Sequence, residues 1–265
     1  MLSSANKNYV MLLLKWLGIV LVIVALASPV LTKEYMNSKK HGRDIVLIID
    51  SSESMIQQGF DPENEAKNKF EAVKEVASDF VEQRENDRIG LINFADIAFI
   101  ASPLTFEKKF LQQIIKMQRL GRAGRRTAIN DALVQSYAML EKSKVKSKVV
   151  ILLTDGIDNM SKISENEVKN LVSKSKVKLY TIGIGREGDF DGAFLRRLAK
   201  AGEGMAFSAK NATGLEKIYA EINQLEISKI DDKKIIQQQY LFVYPLLLSI
   251  LLLIFLIYFR TIRSL

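Results

Sequence analysis

Two runs in the chain decide its fold class. Asp44-Ile45-Val46-Leu47-Ile48-Ile49 and Lys148-Val149-Val150-Ile151-Leu152-Leu153 are apolar, rich in β-branched residues and free of alternation. A strand with one wet face alternates and a strand covered on both faces does not, so each run reads as an inner strand of a parallel sheet. The first run stops at Asp50 and the second at Thr154-Asp155, with Gly156 permitting the turn that follows. In open α/β sheets, ligands bind in the crevice beyond the carboxyl ends of the strands. Asp50, Ser52 and Ser54 deliver oxygen donors at alternate positions there, and a loop curling over the strand end can turn all three toward one point. Oxygen-only sites suit hard cations, Mg²⁺ above all, with Mn²⁺ and Ca²⁺ as alternatives. A serine-rich turn after a strand is also ordinary turn chemistry, so this motif takes its meaning from what accompanies it.

The rest of the central region alternates helix and strand. Helices are expected over 63–85, with Phe70, Val73, Val76, Ala77, Phe80 and Val81 inward, and over 106–117, 127–140, 164–174, 190–201 and 213–230. Strands are expected over 87–94, briefly around 98–100, over 178–185 and over 204–208. Ser164-Glu165-Asn166-Glu167 carries the signature of a helix start. Regular alternation implies right-handed crossovers and a doubly wound, mostly parallel central sheet with helices on both faces, a Rossmann-like α/β architecture. Gly183-x-Gly185 is half of a dinucleotide fingerprint, but the third glycine is missing and this is not the first strand-to-helix turn, so it reads as a turn. The lysine-rich stretch 142–148 reads as a solvated connection.

Between the two inner strands, Gly124-Arg125-Arg126-Thr127-Ala128-Ile129 feeds a hydroxyl residue into the start of a helix. With that third piece the chain resembles the von Willebrand factor A (VWA) domain and its metal-ion-dependent adhesion site (MIDAS): Asp-x-Ser-x-Ser, then a loop Thr, then a strand-end Asp. Here these are Asp50, Ser52, Ser54, Thr127 and Asp155. The resemblance implies that Ser52, Ser54 and Thr127 hold the ion through their hydroxyls, that Asp50 and Asp155 hold it directly or through water, and that an acidic residue of a protein partner completes the coordination. Glu53 stands where many family members have Gly, and Arg125 and Arg126 stand where small residues usually precede the Thr. Glu53, Arg122, Arg125 and Arg126 are therefore candidates for a partner-binding rim, the arginines steering an acidic partner toward the metal.

Composition removes other chemistries. The chain has no cysteine and one histidine, His41, which stands in a polar basic segment before the first strand. A Ser-His-Asp triad would need that residue, and the Gly-x-Ser-x-Gly elbow is absent too. The formal net charge is +8, but Lys7, Lys15, Arg260 and Arg263 lie in or beside the terminal apolar segments, so charge does not point to nucleic acid. Haloacid-dehalogenase-like phosphatases also place an Asp at a first strand end, yet they need a second Asp two residues on, where this chain has Ser52. A non-enzymatic binding function is expected, with a Mg²⁺-dependent phosphatase-like hydrolase and a metal-independent membrane scaffold as its rivals.

Both ends of the chain are apolar. Val10 to Leu31 is interrupted only by Lys15 and reads as an anchor, or alternatively as a secretory signal with Lys7 as its basic end and Ala25-Leu26-Ala27 as a cleavage pattern. Residues 235–259 contain no charge, and Tyr240 to Phe259 reads as a transmembrane helix followed by a basic tail, 260–265. The expected organisation is an amino-terminal anchor over 1–32, a linker over 33–43, the VWA domain over 44–230 and the second anchor over 235–259. Arg260 and Arg263 point the carboxyl tail into the cytoplasm and the domain to the other side. Anchor, domain and anchor, with Val24-Ala25-Leu26-Ala27-Ser28-Pro29 just before the domain, resembles the BatA/BatB aerotolerance proteins of bacteria. That resemblance implies a place in the inner membrane with the domain in the periplasm, contact with other Bat-type membrane proteins, and a link to a MoxR-type AAA+ ATPase.

Overall fold

The computed structural model describes residues 4–35, 42–226 and 235–263. The chain divides into two compact units, one formed by residues 40–230 and the other by 1–39 together with 231–265. His41 and most of the expected linker lie outside the described residues.

The larger unit is built on strands β2 (Asp44–Asp50), β3 (Arg88–Phe94), β4 (Ala98–Thr105), β5 (Lys148–Thr154), β6 (Val177–Ile184) and β7 (Ala206–Ala209), in the order β4-β3-β2-β5-β6-β7. All neighbours are parallel except β3 and β4. β4 runs longer than the short strand expected and forms an edge, where Pro103 removes no ladder donor that an inner strand would need. β2 is buried along its whole length, as its unalternating sequence requires. Its side chains divide by parity: Ile45, Leu47 and Ile49 enter one core with Phe70, Val73 and Leu215, while Val46 and Ile48 enter the other with Ile129, Leu133 and Leu195. The helices covering the first face are α2 (Lys69–Glu82), α3 (Lys108–Met117) and α7 (Ala212–Leu225), and those covering the second are α4 (Ile129–Glu141), α5 (Glu165–Lys174) and α6 (Gly192–Ala201).

Helix boundaries shift from expectation by a few residues, most at the start of α2, and the expected end of the last domain helix at 230 lies outside the described residues. α2 begins at Lys69, not at residue 63, because Asn68 caps it by accepting the Glu71 N–H and the preceding loop is pinned by a Gln58–Asn68 bridge and a Lys67–Asp61 ion pair of 2.7 Å. α5 begins at the expected place, with Ser164 and Glu167 forming a capping box.

The smaller unit contains α1 (Ser4–Leu26), β1 (Val30–Tyr35), β8 (Ile235–Tyr240) and α8 (Val243–Arg263). β1 and β8 form an antiparallel two-stranded ribbon from Val30 opposite Tyr240 to Tyr35 opposite Ile235. This corrects two expectations. Val30 and Leu31 belong to a strand and not to the first apolar helix, and residues 235–240 form a strand and not the start of the second. The helical backbone covers 23 residues in α1 and 21 in α8. Among the described residues no helix is long and apolar enough to cross a membrane.

Candidate metal centre

The chain leaves β2 for β3 on one side and later returns to β5 on the other, so the crevice between the carboxyl ends of β2 and β5 is the switch point of the sheet. Asp50 is the last residue of β2 and Asp155 directly follows β5. Both are buried, at 0% and 2% exposure.

Asp50 is held from two sides. Its Oδ1 accepts the Ser52 N–H at 2.8 Å and its Oδ2 accepts the Thr154 hydroxyl at 2.6 Å. The Ser52 and Ser54 hydroxyls lie 3.0 Å apart, and Ser54 donates to Asp155 Oδ1 at 2.5 Å. These contacts draw Asp50, Ser52, Ser54 and Asp155 into one cluster of oxygen atoms. Thr127 joins from the loop before α4. Its N–H donates to Asn159 Oδ1 at 3.0 Å and its carbonyl accepts the Asn159 and Met160 N–H groups, which binds this loop to the one after β5. A Cβ built on Gly156 would stand 2.8 Å from the Thr127 hydroxyl oxygen, which places that oxygen against the chain just after Asp155.

The electrostatics of the cluster favour a cation. Burial pushes the Asp50 carboxyl up to about 7, against the lowering effect of the Ser52 and Thr154 hydrogen bonds, and the Asp155 charge adds to the rise. Burial also raises Asp155, offset in part by Ser54 and Lys69. Two dry carboxylates with hydroxyls around them form a hard, oxygen-only donor set of the kind that fits a small divalent ion. Among the described residues, no group of three or more His, Cys, Asp or Glu side chains could hold a metal, so the hydroxyls are indispensable to the fit.

Lys69, Thr154 and Asp189 also reach this cluster, and sequence reading passed over all three. The Lys69 Nζ lies 3.1 Å from Asp155 Oδ2 and 3.5 Å from Asp189 Oδ2. Thr154 carried a signal, since it is the one hydroxyl in an apolar run. Lys69 carried none, because a lysine within an amphipathic helix reads as solvated.

Two of the rim arginines have acidic partners. The Arg125 guanidinium forms a two-pronged ion pair with the Glu53 carboxylate, and the Glu53 N–H donates to the Arg125 carbonyl at 2.9 Å. Asp96 accepts the Arg125 and Arg126 N–H groups at 3.0 and 2.5 Å and lies 3.8 Å from the Arg126 guanidinium. Gly124, with φ of +113°, lets the backbone fold onto Asp96, and a side chain there would meet the Asp96 carboxyl at 2.4 Å. Arg122 is exposed. Both Arg125 and Glu53 are mostly exposed, so their pair fixes loop geometry more than it stabilises the fold.

Residues 44–221 match the family model described as von Willebrand factor type A domain. An uncharacterized protein of Borreliella burgdorferi is 31% identical over 217 residues, 82% of this chain. The chain spans 62% of the length of that relative. Among solved structures, an aerotolerance-related membrane protein from Bacteroides fragilis is 21% identical with a TM-score of 0.59, covering 69% of this chain and 98% of its own. Proximal thread matrix protein 1 from the mussel byssus, solved with a zinc-occupied MIDAS motif, is 24% identical with a TM-score of 0.58, covering 74% and 48%. At these identities the two structures establish a shared fold.

Proposed function

The chain belongs to the von Willebrand factor type A domain family, and from that premise we propose that it is a membrane-associated binding protein whose Asp50–Asp155 cluster holds a divalent cation. The single observation that carries this reading is the convergence of two buried carboxylates and the Ser52 and Ser54 hydroxyls, with Thr127 beside them, at the sheet's switch point. Asp50, Ser52, Ser54, Thr127 and Asp155 are the ligands, and Mg²⁺ is the ion that best matches hard oxygen donors. When bound, the ion offers an open coordination position to an acidic side chain of a protein partner. The residues around it bind and orient. Asp50, with both oxygens engaged and no exposed surface, is not presented to a substrate as a nucleophile.

Anchoring is part of the same proposal. Leu12, Leu13, Trp16, Leu17, Val20 and Ile23 are exposed on α1, and Leu247, Leu248, Leu251, Ile254 and Ile257 on α8. An exposed apolar surface of that extent suits lipid and not water. Lys15, exposed on α1, can reach the interface with its ammonium. With the carboxyl tail in the cytoplasm, the domain faces the periplasm. Other Bat-type membrane proteins and a MoxR-type AAA+ ATPase are the partners that the Bat resemblance brings to this chain, with aerotolerance or stress resistance as the process.

The test is a calorimetric titration of Mg²⁺ into the full chain in detergent micelles, beside a pull-down of envelope proteins in Mg²⁺ and in chelator. Saturable binding near one ion per chain is expected, with captured proteins lost in chelator. Absence of saturable binding by Mg²⁺ or Mn²⁺ would overturn the metal reading, and capture that persists in chelator would favour a metal-independent scaffold.

A further inference from the structure

We propose that Lys69 is a tethered counter-cation that competes with the divalent ion for Asp155 and thereby sets how tightly the site loads. The inference rests on the metal reading above and concerns a residue outside the five-residue motif. Lys69 is buried at 5% exposure, and its side chain spends its charge on two carboxylates, Asp155 at 3.1 Å and Asp189 at 3.5 Å. Its backbone is fixed as well, since the Lys69 N–H donates to the Gln57 carbonyl at 2.8 Å immediately after the Asn68 cap.

The location is otherwise unfavourable. A cation in the first turn of a helix opposes the helix dipole, and a buried ammonium loses its hydration. Its carboxylate partners offset both effects, so the ammonium is held in contact with Asp155. Asp189 keeps its own place through the Arg186 N–H at 2.8 Å, so the second partner is fixed by the loop between β6 and α6 and not by Lys69 alone. Ser54 occupies Asp155 Oδ1 and Lys69 occupies Oδ2, which leaves an incoming ion to share Asp155 with a positive charge that cannot diffuse away. An ammonium and a divalent ion in contact with one carboxylate repel each other, and part of that repulsion is relieved as the ammonium shifts toward Asp189. A site built this way loads at a higher divalent concentration than the same oxygens would alone.

Mg²⁺ titration by calorimetry of the full chain in detergent micelles tests this with Lys69→Met, Lys69→Gln and Lys69→Arg beside the wild type. Lys69→Met is expected to lower the Kd for Mg²⁺ by about 10-fold, and Lys69→Arg to keep it within about 3-fold of the wild-type value. Lys69→Gln, which removes the charge but keeps a donor for Asp155, covers the case in which the Met variant does not fold, and is expected to tighten binding in the same direction. A neutral variant that melts like the wild type and binds Mg²⁺ no more tightly overturns the inference while leaving the metal reading intact. Failure of every variant and of the wild type to bind overturns the metal reading, and this inference with it.

Discussion

Asp50→Asn is expected to raise the melting temperature of the metal-free chain at pH 8 and to leave it almost unchanged at pH 4, while abolishing Mg²⁺ binding. The Asp50 carboxyl is wholly buried, and burial pushes it from 3.8 up to about 7. A group whose folded value lies above its unfolded value binds its proton more tightly in the folded state, so stability falls as pH rises between the two. The contribution is fully present below about pH 4 and is lost as pH passes through about 7. A difference of that size corresponds to a penalty on the order of 4 kcal/mol at pH 8 without metal. Asn carries no charge to desolvate. Its Oδ1 can still accept the Ser52 N–H and its amide can donate to the Thr154 hydroxyl, so most of the penalty is removed. For a domain of this size the gain amounts to roughly 6–16 °C at pH 8. Thermal melts in chelator at the two pH values check it. An equal shift at both, or a loss at pH 8, would show that the buried charge is not what limits the metal-free protein.

A residue that destabilises the fold where it stands and is stabilised by a cation is the expected mark of a binding position. The same logic explains what could be read from the sequence. The inner strands were legible because burial on both faces leaves no room for polar residues, and the parity of β2 divides between the two cores as a pleated strand must. Asp50, Ser52, Ser54 and Asp155 were legible because a strand end and its following loop fix positions within a few residues. Lys69 and Asp189 were not, since Lys69 meets Asp155 across 86 residues of sequence and Asp189 across 120, and such contacts depend on how helices dock and not on any local pattern. In the rim, Glu53 and the arginines are visible in the sequence, whereas the pairing of Arg125 with Glu53 and of Arg126 with Asp96 spans 72 and 30 residues and follows from how the loops meet. At the termini, hydropathy alone cannot separate a helix from a strand, so it assigns Val30, Leu31 and residues 235–240 to helices and residues 33–35 to a linker, where the structure has the β1–β8 ribbon.

Gly156 marks the finest of these distinctions and supplies the second large effect. In sequence it reads as a residue that permits a turn, yet it is not among the glycines with positive φ. What requires glycine is space: a Cβ would come within 2.8 Å of the Thr127 hydroxyl oxygen and 3.2 Å of its methyl carbon. Thr127 cannot retreat freely, because its N–H and carbonyl are both bound to the loop after β5. Gly156→Ala is therefore expected to rotate or displace the Thr127 side chain, removing one hydroxyl from the donor set without altering any ligand's identity. Disturbing the groups that position a metal ligand typically lowers affinity by about 10–100-fold, and a loss in that range is expected for Mg²⁺. Stability should change little, since the added methyl meets one side chain and no core strand. Thr127→Ala provides the comparison: because both substitutions act by removing the same oxygen, the double variant should bind Mg²⁺ about as weakly as either single one. Additive losses in the double variant would mean that Gly156 acts on Asp155 instead, and unchanged affinity in Gly156→Ala would take the Thr127 hydroxyl out of the site.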